Sequence, residues 1–213
     1  QQLWHPVAAR LRDHFDLVLF DHVGSGQAAP TAWDSDKYAS LKGYADDVVE
    51  IVEALDLRDV VFVGHSVASM IGVMAVSAAP DRFAKLVLIT PSPRYIDDDS
   101  YRGGFTHADI DELLDSLESN YLGWSLAMAP TIMGNPERPE LAEDLAATFC
   151  RTDPAAAKVF ARATFLSDNR ADLARVPIPT LIVDCRQDVI APREVGADVR
   201  DHIPDARLIT LDA

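Results

Sequence analysis

The chain is poor in cysteine, and it holds no more glycine or proline than an ordinary folded protein. Two of its 213 residues are cysteine, Cys150 and Cys185, and neither has a second cysteine or a histidine-rich companion at metal-ligand spacing. We therefore expect no disulfide framework and no metal site, and a reducing, cytoplasmic compartment is the simpler expectation. With 10 Gly and 13 Pro, collagen-like and disordered classes are also excluded.

Basic residues are scarce as well. Nineteen Lys and Arg stand against 34 Asp and Glu, which gives a formal net charge of −15. A surface of that sign repels phosphate backbones, so we expect no nucleic-acid partner. The one uncharged run of membrane-spanning length, residues 60–80, contains Gly64, His65 and Ser66, and a buried strand followed by a helix explains it better than a membrane span.

Short runs of Val, Leu and Ile predict β-strands at five places along the chain. Their apolar residues are continuous, which indicates strands buried on both faces, as in a parallel sheet. Helical patterns alternate with them, so the sequence predicts an α/β fold with a mostly parallel, doubly wound sheet and helices on both faces. The predicted strands are residues 16–21, 60–64, 85–90, 180–184 and 207–211.

Residues 91–178 break this alternation, because no convincing strand pattern occurs among them. Helices are predicted over Pro139–Cys150 and 154–166, the second opened by Asp153 as N-cap. An insertion of this length in a sheet domain is usually functional, often as a lid over a site. We thus expect residues 1–90 to form the N-terminal part of the core, 91–178 a helical lid, and 179–213 the C-terminal part of the core.

The strongest chemical signal is the sequence VFVGHSVA over residues 61–68. A buried strand runs through Gly64 into Ser66 and then directly into an apolar helix, which is the context of a nucleophile elbow. The helix would direct its N-terminus at the same point, so the Val67 N–H could stabilise an oxyanion. The alternative is an ordinary strand-to-helix turn in which Ser66 caps the helix.

A serine nucleophile on such a fold requires an acid after a later strand and then a histidine. Asp188 follows the predicted strand 180–184, whereas its rival Asp184 belongs to the strand itself. Of six histidines only His202 follows Asp188, and it precedes the last strand. The order of a triad therefore predicts a base beyond Ala213. We expect His65 to be a pocket-wall residue, because a base must reach Ser66 from across the site.

Eight segments together resemble the α/β-hydrolase superfamily, and within it the RsbQ-type subfamily, which includes a bacterial stress regulator and the plant karrikin and strigolactone receptor hydrolases. The segments span nearly the whole chain. They are LFDHVGSGQ at 19–27, GHSV at 64–67, PSPRY at 91–95, GGF at 103–105, NY at 120–121 with Trp124, FCRTDP at 149–154, FLSD at 165–168 and DVIAP at 188–192.

This resemblance implies Ser66 as nucleophile, Asp188 as triad acid and the Val67 N–H as one oxyanion donor. The second donor, the first strands and the triad histidine would lie outside residues 1–213, so the chain by itself is expected to be inactive. The resemblance also implies an apolar pocket under a four-helix lid. Its expected residues, with His65 beside the nucleophile, are Tyr121, Trp124, Met128, Phe149, Phe160 and Phe165.

The expected function is that of a serine hydrolase acting on a small hydrophobic ester or lactone, without cofactor or metal. The alternative is an RsbQ-like sensor of a small carbonyl compound that activates a partner phosphatase. A third class, cofactor-free haloperoxidases and C–C bond hydrolases, uses the same fold, and a fold does not fix its reaction. We also expect poor solubility of residues 1–213, because missing strands would leave sheet edges unpaired.

Overall fold

Four parallel strands and nine α-helices make up residues 2–212, which are the residues that the computed structural model describes. In chain order they are α1 (His5–Leu11), α2 (Leu41–Ala54), β1 (Val60–His65), α3 (Val67–Ala78), β2 (Phe83–Ile89), α4 (His107–Ser119), α5 (Tyr121–Met133), α6 (Pro139–Cys150), α7 (Pro154–Phe165), α8 (Arg170–Leu173), β3 (Thr180–Cys185), α9 (Arg193–His202) and β4 (Ala206–Leu211).

The strands lie side by side in sequence order, β1-β2-β3-β4, and every neighbouring pair is parallel. The register pairs Gly64 with Leu88 and Leu88 with Ile182. All four strands therefore end at the same edge of the sheet, which is where open α/β sheets collect their functional residues. The predicted parallel sheet and α/β-hydrolase fold are confirmed.

One face of the sheet carries the main hydrophobic core. Leu86, Leu88 and Ile182 are fully buried on this face, against α3 and α9. Parallel neighbours joined by right-handed crossovers in sequence order bring their connecting helices to the same side of a sheet. In this layer α3 and α9 contact the sheet, α2 packs against α3, and α8 contacts both α3 and α9.

The opposite face is open in the part of the chain that the structure describes. Val61, Val63, Ile209 and Leu211 on this face are 42%, 39%, 45% and 47% exposed. The expectation that both faces of these strands are buried is therefore wrong for β1 and β4. Uninterrupted valines and leucines reflect β propensity as well as burial, so the sequence pattern alone overestimated how much of the sheet is buried.

The first predicted strand, residues 16–21, is not a strand in the structure. This segment has no regular secondary structure, and Leu17 and Val18 are exposed. A strand requires a neighbour to satisfy its N–H and C=O groups, and the ladders that the structure describes pair only β1 to β4. An apolar run therefore indicates that a segment can form a strand, but it does not show that a partner strand is present.

The interval between β2 and β3 is helical, as the sequence predicts. Helices α6 and α7 occur where they were expected, and the Asp153 side chain accepts hydrogen bonds from the N–H groups of Ala155 and Ala156 at the start of α7. Ile110, Leu114 and other buried residues of α4, α5 and α7 form a second core. Within residues 2–212, no helix combines the length and apolar character needed to cross a membrane.

Gly64→Ala is expected to destabilise the fold by about 2 kcal/mol, because an added methyl group would lie 2.6 Å from the carbonyl carbon of Ala68 and backbone cannot move aside cheaply. Urea unfolding measures this. The control is Gly134→Ala, where nothing lies within 4 Å and only the positive φ, 60°, costs about 1 kcal/mol. Equal losses in the two variants would contradict the close approach of β1 and α3.

Candidate active site

Ser66 occupies a strained turn between β1 and α3. Its φ of 56° and ψ of −126° lie in a region that residues other than glycine rarely adopt. The turn is sharp because α3 begins at the next residue, Val67, and folds back over Gly64. The Ser66 side chain makes no capping hydrogen bond to α3. The capping interpretation is thus not supported, and the hydroxyl is available for other chemistry.

Buried hydrogen bonds fasten this turn to the neighbouring strand. The Ser66 N–H donates to the carbonyl of Ile89 at the end of β2 at 2.8 Å. The fully buried Ser69 hydroxyl donates to the Gly64 carbonyl at 3.0 Å, and the Ser69 N–H donates to the Ser66 carbonyl at 2.9 Å. Because both sides of the elbow are hydrogen-bonded, the Ser66 backbone has little freedom to relax its strain.

The N-terminus of α3 lies directly behind Ser66. The first N–H groups of a helix have no acceptor within the helix, and the helix dipole favours negative charge there. Val67 is the first residue of α3, so its N–H is one of these groups. An oxyanion formed at Ser66 could therefore accept a hydrogen bond from Val67, as the sequence predicts.

Asp188 lies in the loop that follows β3, at the same edge of the sheet as Ser66. Its Oδ1 accepts hydrogen bonds from the N–H groups of Ile190 at 2.8 Å and Ala191 at 2.9 Å. These bonds orient the carboxylate and leave Oδ2 for another partner. Asp184, the rival acid, is instead buried in β3 with Oδ2 toward Gly196 of α9. Of the two carboxylates, Asp188 is thus the one that lies at the strand-end edge with Ser66.

Neither His65 nor His202 pairs with Asp188 by a hydrogen bond or ion pair in residues 3–212. The side chain of His65 lies on the open face of the sheet with Val61 and Val63, because side chains alternate along β1. Desolvation by surrounding protein atoms lowers the pKa of His65, and the charge of Asp188 opposes this shift. The exposed ring of His202 has its Nδ1 2.8 Å from the Asp198 carbonyl, within α9.

Tyr95 is a site residue that the sequence analysis did not single out. It follows β2 and is 3% exposed, and both Ser66 and the charge of Asp188 influence the pKa of its hydroxyl. Burial raises the pKa of Tyr95 to about 12; Ser66 opposes this rise, and the charge of Asp188 adds to it. The available signal was topological: Tyr95 follows the strand beside the nucleophile strand, where such sites collect residues.

The apolar residues expected to form a pocket divide into two groups. Trp124 and Met128 of α5 line a cleft of about 450 Å³ together with Phe105 and Leu113. The Trp124 ring is 5.8 Å from the Phe149 ring. Phe105 and Leu113 were not predicted as pocket residues. Neither Ser66 nor Asp188 lines this cleft, and Phe105 connects it to the site through the 3.1 Å hydrogen bond from its N–H to the Tyr95 carbonyl.

Tyr121 and Phe165 also lie on this side of the helical insertion. The Tyr121 hydroxyl donates to the Phe149 carbonyl at 2.8 Å, and the Phe165 ring meets the Tyr95 ring edge-on at 5.0 Å. Phe160 differs, because its ring packs 5.0 Å from Tyr44 of α2 and belongs to the main core. The structure therefore separates Phe160 from the other expected pocket residues.

Four charged side chains hold the two ends of the insertion together, and we call them the clasp: Arg94, Asp98, Asp168 and Arg170. Arg94 and Arg170 each approach Asp168 at 2.7 Å, and Arg170 also reaches Asp98 at 2.7 Å. The Arg170 guanidinium lies 4.9 Å from the centre of the Tyr101 ring. A network of this kind contributes more than isolated surface pairs, and it fixes the residue directly before Tyr95.

Comparisons with known proteins agree on one family. A family model described as the alpha/beta hydrolase fold matches residues 2–213. The karrikin insensitive 2 receptor CA of Petunia hybrida is 36% identical over 211 residues, covering 99% of this chain and 78% of the relative. A strigolactone esterase of Arabidopsis thaliana is 33% identical over 203 residues, covering 95% and 76%. The structure of a hydrolase from Oleispira antarctica superposes with a TM-score of 0.97 at 40% identity, covering 100% and 78%.

Ser66→Gly is expected to be more stable than Ser66→Ala by about 1 kcal/mol, because glycine adopts the φ of this turn without strain whereas alanine keeps it. Urea unfolding of both variants checks this. The same pair of substitutions at Ser77, inside α3, is the control, and there glycine should be the less stable variant. An advantage of alanine at both positions would contradict a strained elbow.

Asp168→Asn is expected to remove about 1 kcal/mol of stability at neutral pH, a figure kept low because the carboxylate is 36% exposed. Hydrogen bonding by Arg170 lowers the pKa of Asp168 from 3.8 to about 2 on folding. This contribution is therefore complete above pH 3.8 and is lost as the pH falls through about 2. The stability of the variant should change less over that interval than the stability of the wild type.

The control for this pH dependence is Asp99→Asn. Asp99 is exposed in the same turn as Asp98, and its substitution removes the same charge as Asp168→Asn. Unfolding free energies measured from pH 2 to 7 should show the flattened profile for Asp168→Asn alone. If both variants change the profile equally, net charge rather than the clasp would be responsible.

Proposed function

The chain belongs to the α/β-hydrolase family, and on that premise we propose that it is a serine hydrolase of small hydrophobic esters or lactones. Its enzyme class, an α/β-hydrolase of the carboxylic-ester type, is confirmed by the family and by the hydrolases and esterases among its relatives. The observation that supports the serine mechanism is the conformation of Ser66. This non-glycine residue has a strained backbone, and its hydroxyl lies at the strand ends without making a capping hydrogen bond to α3.

In the proposed reaction the Ser66 Oγ attacks the substrate carbonyl carbon while a histidine removes its proton. That histidine is expected outside the described residues, and Asp188 would hold its ring in the required tautomer. The carbonyl oxygen becomes an oxyanion that accepts a hydrogen bond from the Val67 N–H. Collapse expels the alkoxide, which takes the proton from histidine, and water then hydrolyses the acyl-enzyme to release the acid and restore Ser66.

The proposed substrate class follows from the cleft in the helical insertion. Trp124, Met128, Phe105 and Leu113 contribute apolar surface to this cleft, and the Phe105 N–H connects it to Tyr95, which follows β2. Sites of this composition bury small apolar molecules against their apolar walls and orient them with a few polar groups. A helical lid over the site, formed by the insertion, remains part of this proposal, as does the cytoplasmic location.

A second candidate is a small-molecule sensor that uses the same site. The observation that favours it is the 36% identity to a protein named as a karrikin receptor, over 99% of the chain. In this case turnover would be slow, binding would change the conformation of the insertion, and a regulatory phosphatase would be the partner. The two candidates differ in rate, because an esterase turns over freely whereas a sensor releases its product slowly.

Ser66→Ala is expected to abolish hydrolysis of an aryl acetate, and Asp188→Asn to lower kcat by roughly 10³- to 10⁴-fold, because the histidine would lose its orienting partner. The measurement uses the protein as its gene encodes it, including whatever precedes Gln1 or follows Ala213. Asp184→Asn is the matched control, since Asp184 lies in the strand and faces α9, and its kcat should remain near that of the wild type.

The same assay separates the candidate functions. Full activity in Ser66→Ala would overturn the serine mechanism, and a loss in Asp184→Asn with none in Asp188→Asn would transfer the acid role to β3. Turnover that ends after one product per protein molecule would favour the sensor. Activity toward halide or C–C substrates without any ester hydrolysis would favour the third class of this fold.

A further inference from the structure

The cleft in the helical insertion has walls of two kinds. The apolar wall includes Trp124 and Met128 of α5, whereas the other wall consists of Asp109, Glu112 and Ser116 of α4. No lysine or arginine is among the described residues that line the cleft. Its volume of about 450 Å³ lies in the range of small-ligand sites. A ligand in this cleft therefore meets an aromatic ring on one side and carboxylates on the other.

The negative charge of α4 is largely without neighbouring bases. The helix has five acidic residues and neither lysine nor arginine. Glu118 is the one acid among them that forms an ion pair in residues 2–212, with Arg162 at 3.3 Å. Positions 109, 112 and 116 are three and four residues apart, so they share one face of the helix. Both carboxylates of that face therefore act on the cleft with their full charge.

The two carboxylates differ in what else they do. Asp109 completes the cap of α4, because its Oδ2 accepts hydrogen bonds from the hydroxyl and the N–H of Thr106, both at 2.7 Å. These hydrogen bonds lower the pKa of Asp109, so its carboxylate stays ionised through the neutral range. Glu112 is exposed and has no part in the cap. Its charge can therefore be removed without disturbing the start of the helix.

The cleft adjoins the loop that carries Asp188. Gly104 lines the cleft, and a side-chain carbon added there would lie 2.8 Å from the Pro192 Cγ and 3.8 Å from the Ile190 carbonyl oxygen. The Ile190 N–H in turn donates to the Asp188 Oδ1 at 2.8 Å. A substrate that extends from the strand-end edge into the cleft therefore enters the field of the α4 carboxylates.

We propose that Asp109 and Glu112 are specificity-determining residues, which make the cleft favour esters that carry a positive charge and disfavour esters that carry a negative one. This inference rests on the proposed serine hydrolysis. The carboxylates attract a cation and repel an anion through space, so they need no contact with the reacting carbonyl. A cation over the face of the Trp124 ring gains further attraction. The substrate class that fits both walls is an ester with an apolar ammonium group.

The test compares three acetate esters of nearly equal size in the protein as its gene encodes it. Acetylcholine carries a positive charge, 3,3-dimethylbutyl acetate is its neutral isostere, and 2-acetoxyethanesulfonate carries a negative charge. A pH-stat measures the acid that each ester releases. At low ionic strength we expect kcat/KM to decrease in that order, and high salt should reduce the differences, because salt screens exposed charges.

Glu112→Gln should lower the ratio of kcat/KM for the positive over the neutral ester by roughly threefold, as expected when one exposed charge interaction is lost. Glu112→Asp, which keeps the charge, should retain most of the preference. Asp111→Asn is the matched control, because Asp111 is exposed on the opposite side of α4, does not line the cleft, and loses the same charge on substitution. Its ratio should stay near that of the wild type.

A second readout needs no turnover. In the Ser66→Ala protein, calorimetric titration with benzyltrimethylammonium measures the binding of a cation directly. Glu112→Gln in this background should raise the Kd roughly threefold, whereas Asp111→Asn should leave the Kd near that of its parent.

Four outcomes would overturn this inference. They are equal kcat/KM for the charged and neutral esters, an unchanged ratio in Glu112→Gln, equal changes in Glu112→Gln and Asp111→Asn, or a Kd that Glu112→Gln does not alter. Equal changes would assign the preference to net charge alone. In each case hydrolysis of the neutral ester by the wild type would leave the serine mechanism standing. Absence of hydrolysis of all three esters would overturn the proposed function together with this ester preference.

Discussion

The site depends on one steric constraint, the close approach of α3 to the end of β1. Gly64 has no side chain, so the Ala68 backbone can lie against it, and the chain between them must turn within a single residue. That residue is Ser66, whose positive φ is the result. The turn directs the hydroxyl away from the helix it would otherwise cap and brings the first N–H of α3 behind it. Hydrogen bonds to β2 then maintain a conformation that an isolated peptide would avoid.

Features that depend on a few consecutive residues could be predicted from the sequence. The elbow around Ser66 and the Asp153 cap of α7 are local patterns, and the structure has both. The position of Asp188 at the strand ends required only the order of strands and helices. The sequence could not show which strands and faces of the sheet are covered, because a run such as residues 16–21 has the same composition with or without a neighbouring strand.

The pocket was less predictable because α7 is apolar on more than one side. One stripe, which ends in Phe165, faces the second core and Tyr95, whereas Phe160 faces Tyr44 in the main core. A single sequence does not say which stripe meets the site. Tyr95 was not predicted for a related reason: its position follows from a loop in which Arg94 pairs with Asp168 and Pro93 accepts from Asn169, two residues distant in the chain.

The clasp has a consequence for how the protein can vary. It brings two distant parts of the insertion together, and beside it the Asn169 N–H donates to the Pro93 carbonyl at 2.8 Å. The helices between these residues, α4 to α7, therefore form a long closed loop. Helices within that loop can lengthen, shrink or be exchanged for others without altering the spacing of β2 and β3. Substrate preference can then diverge among descendants of one ancestor while Ser66 and Asp188 keep their positions.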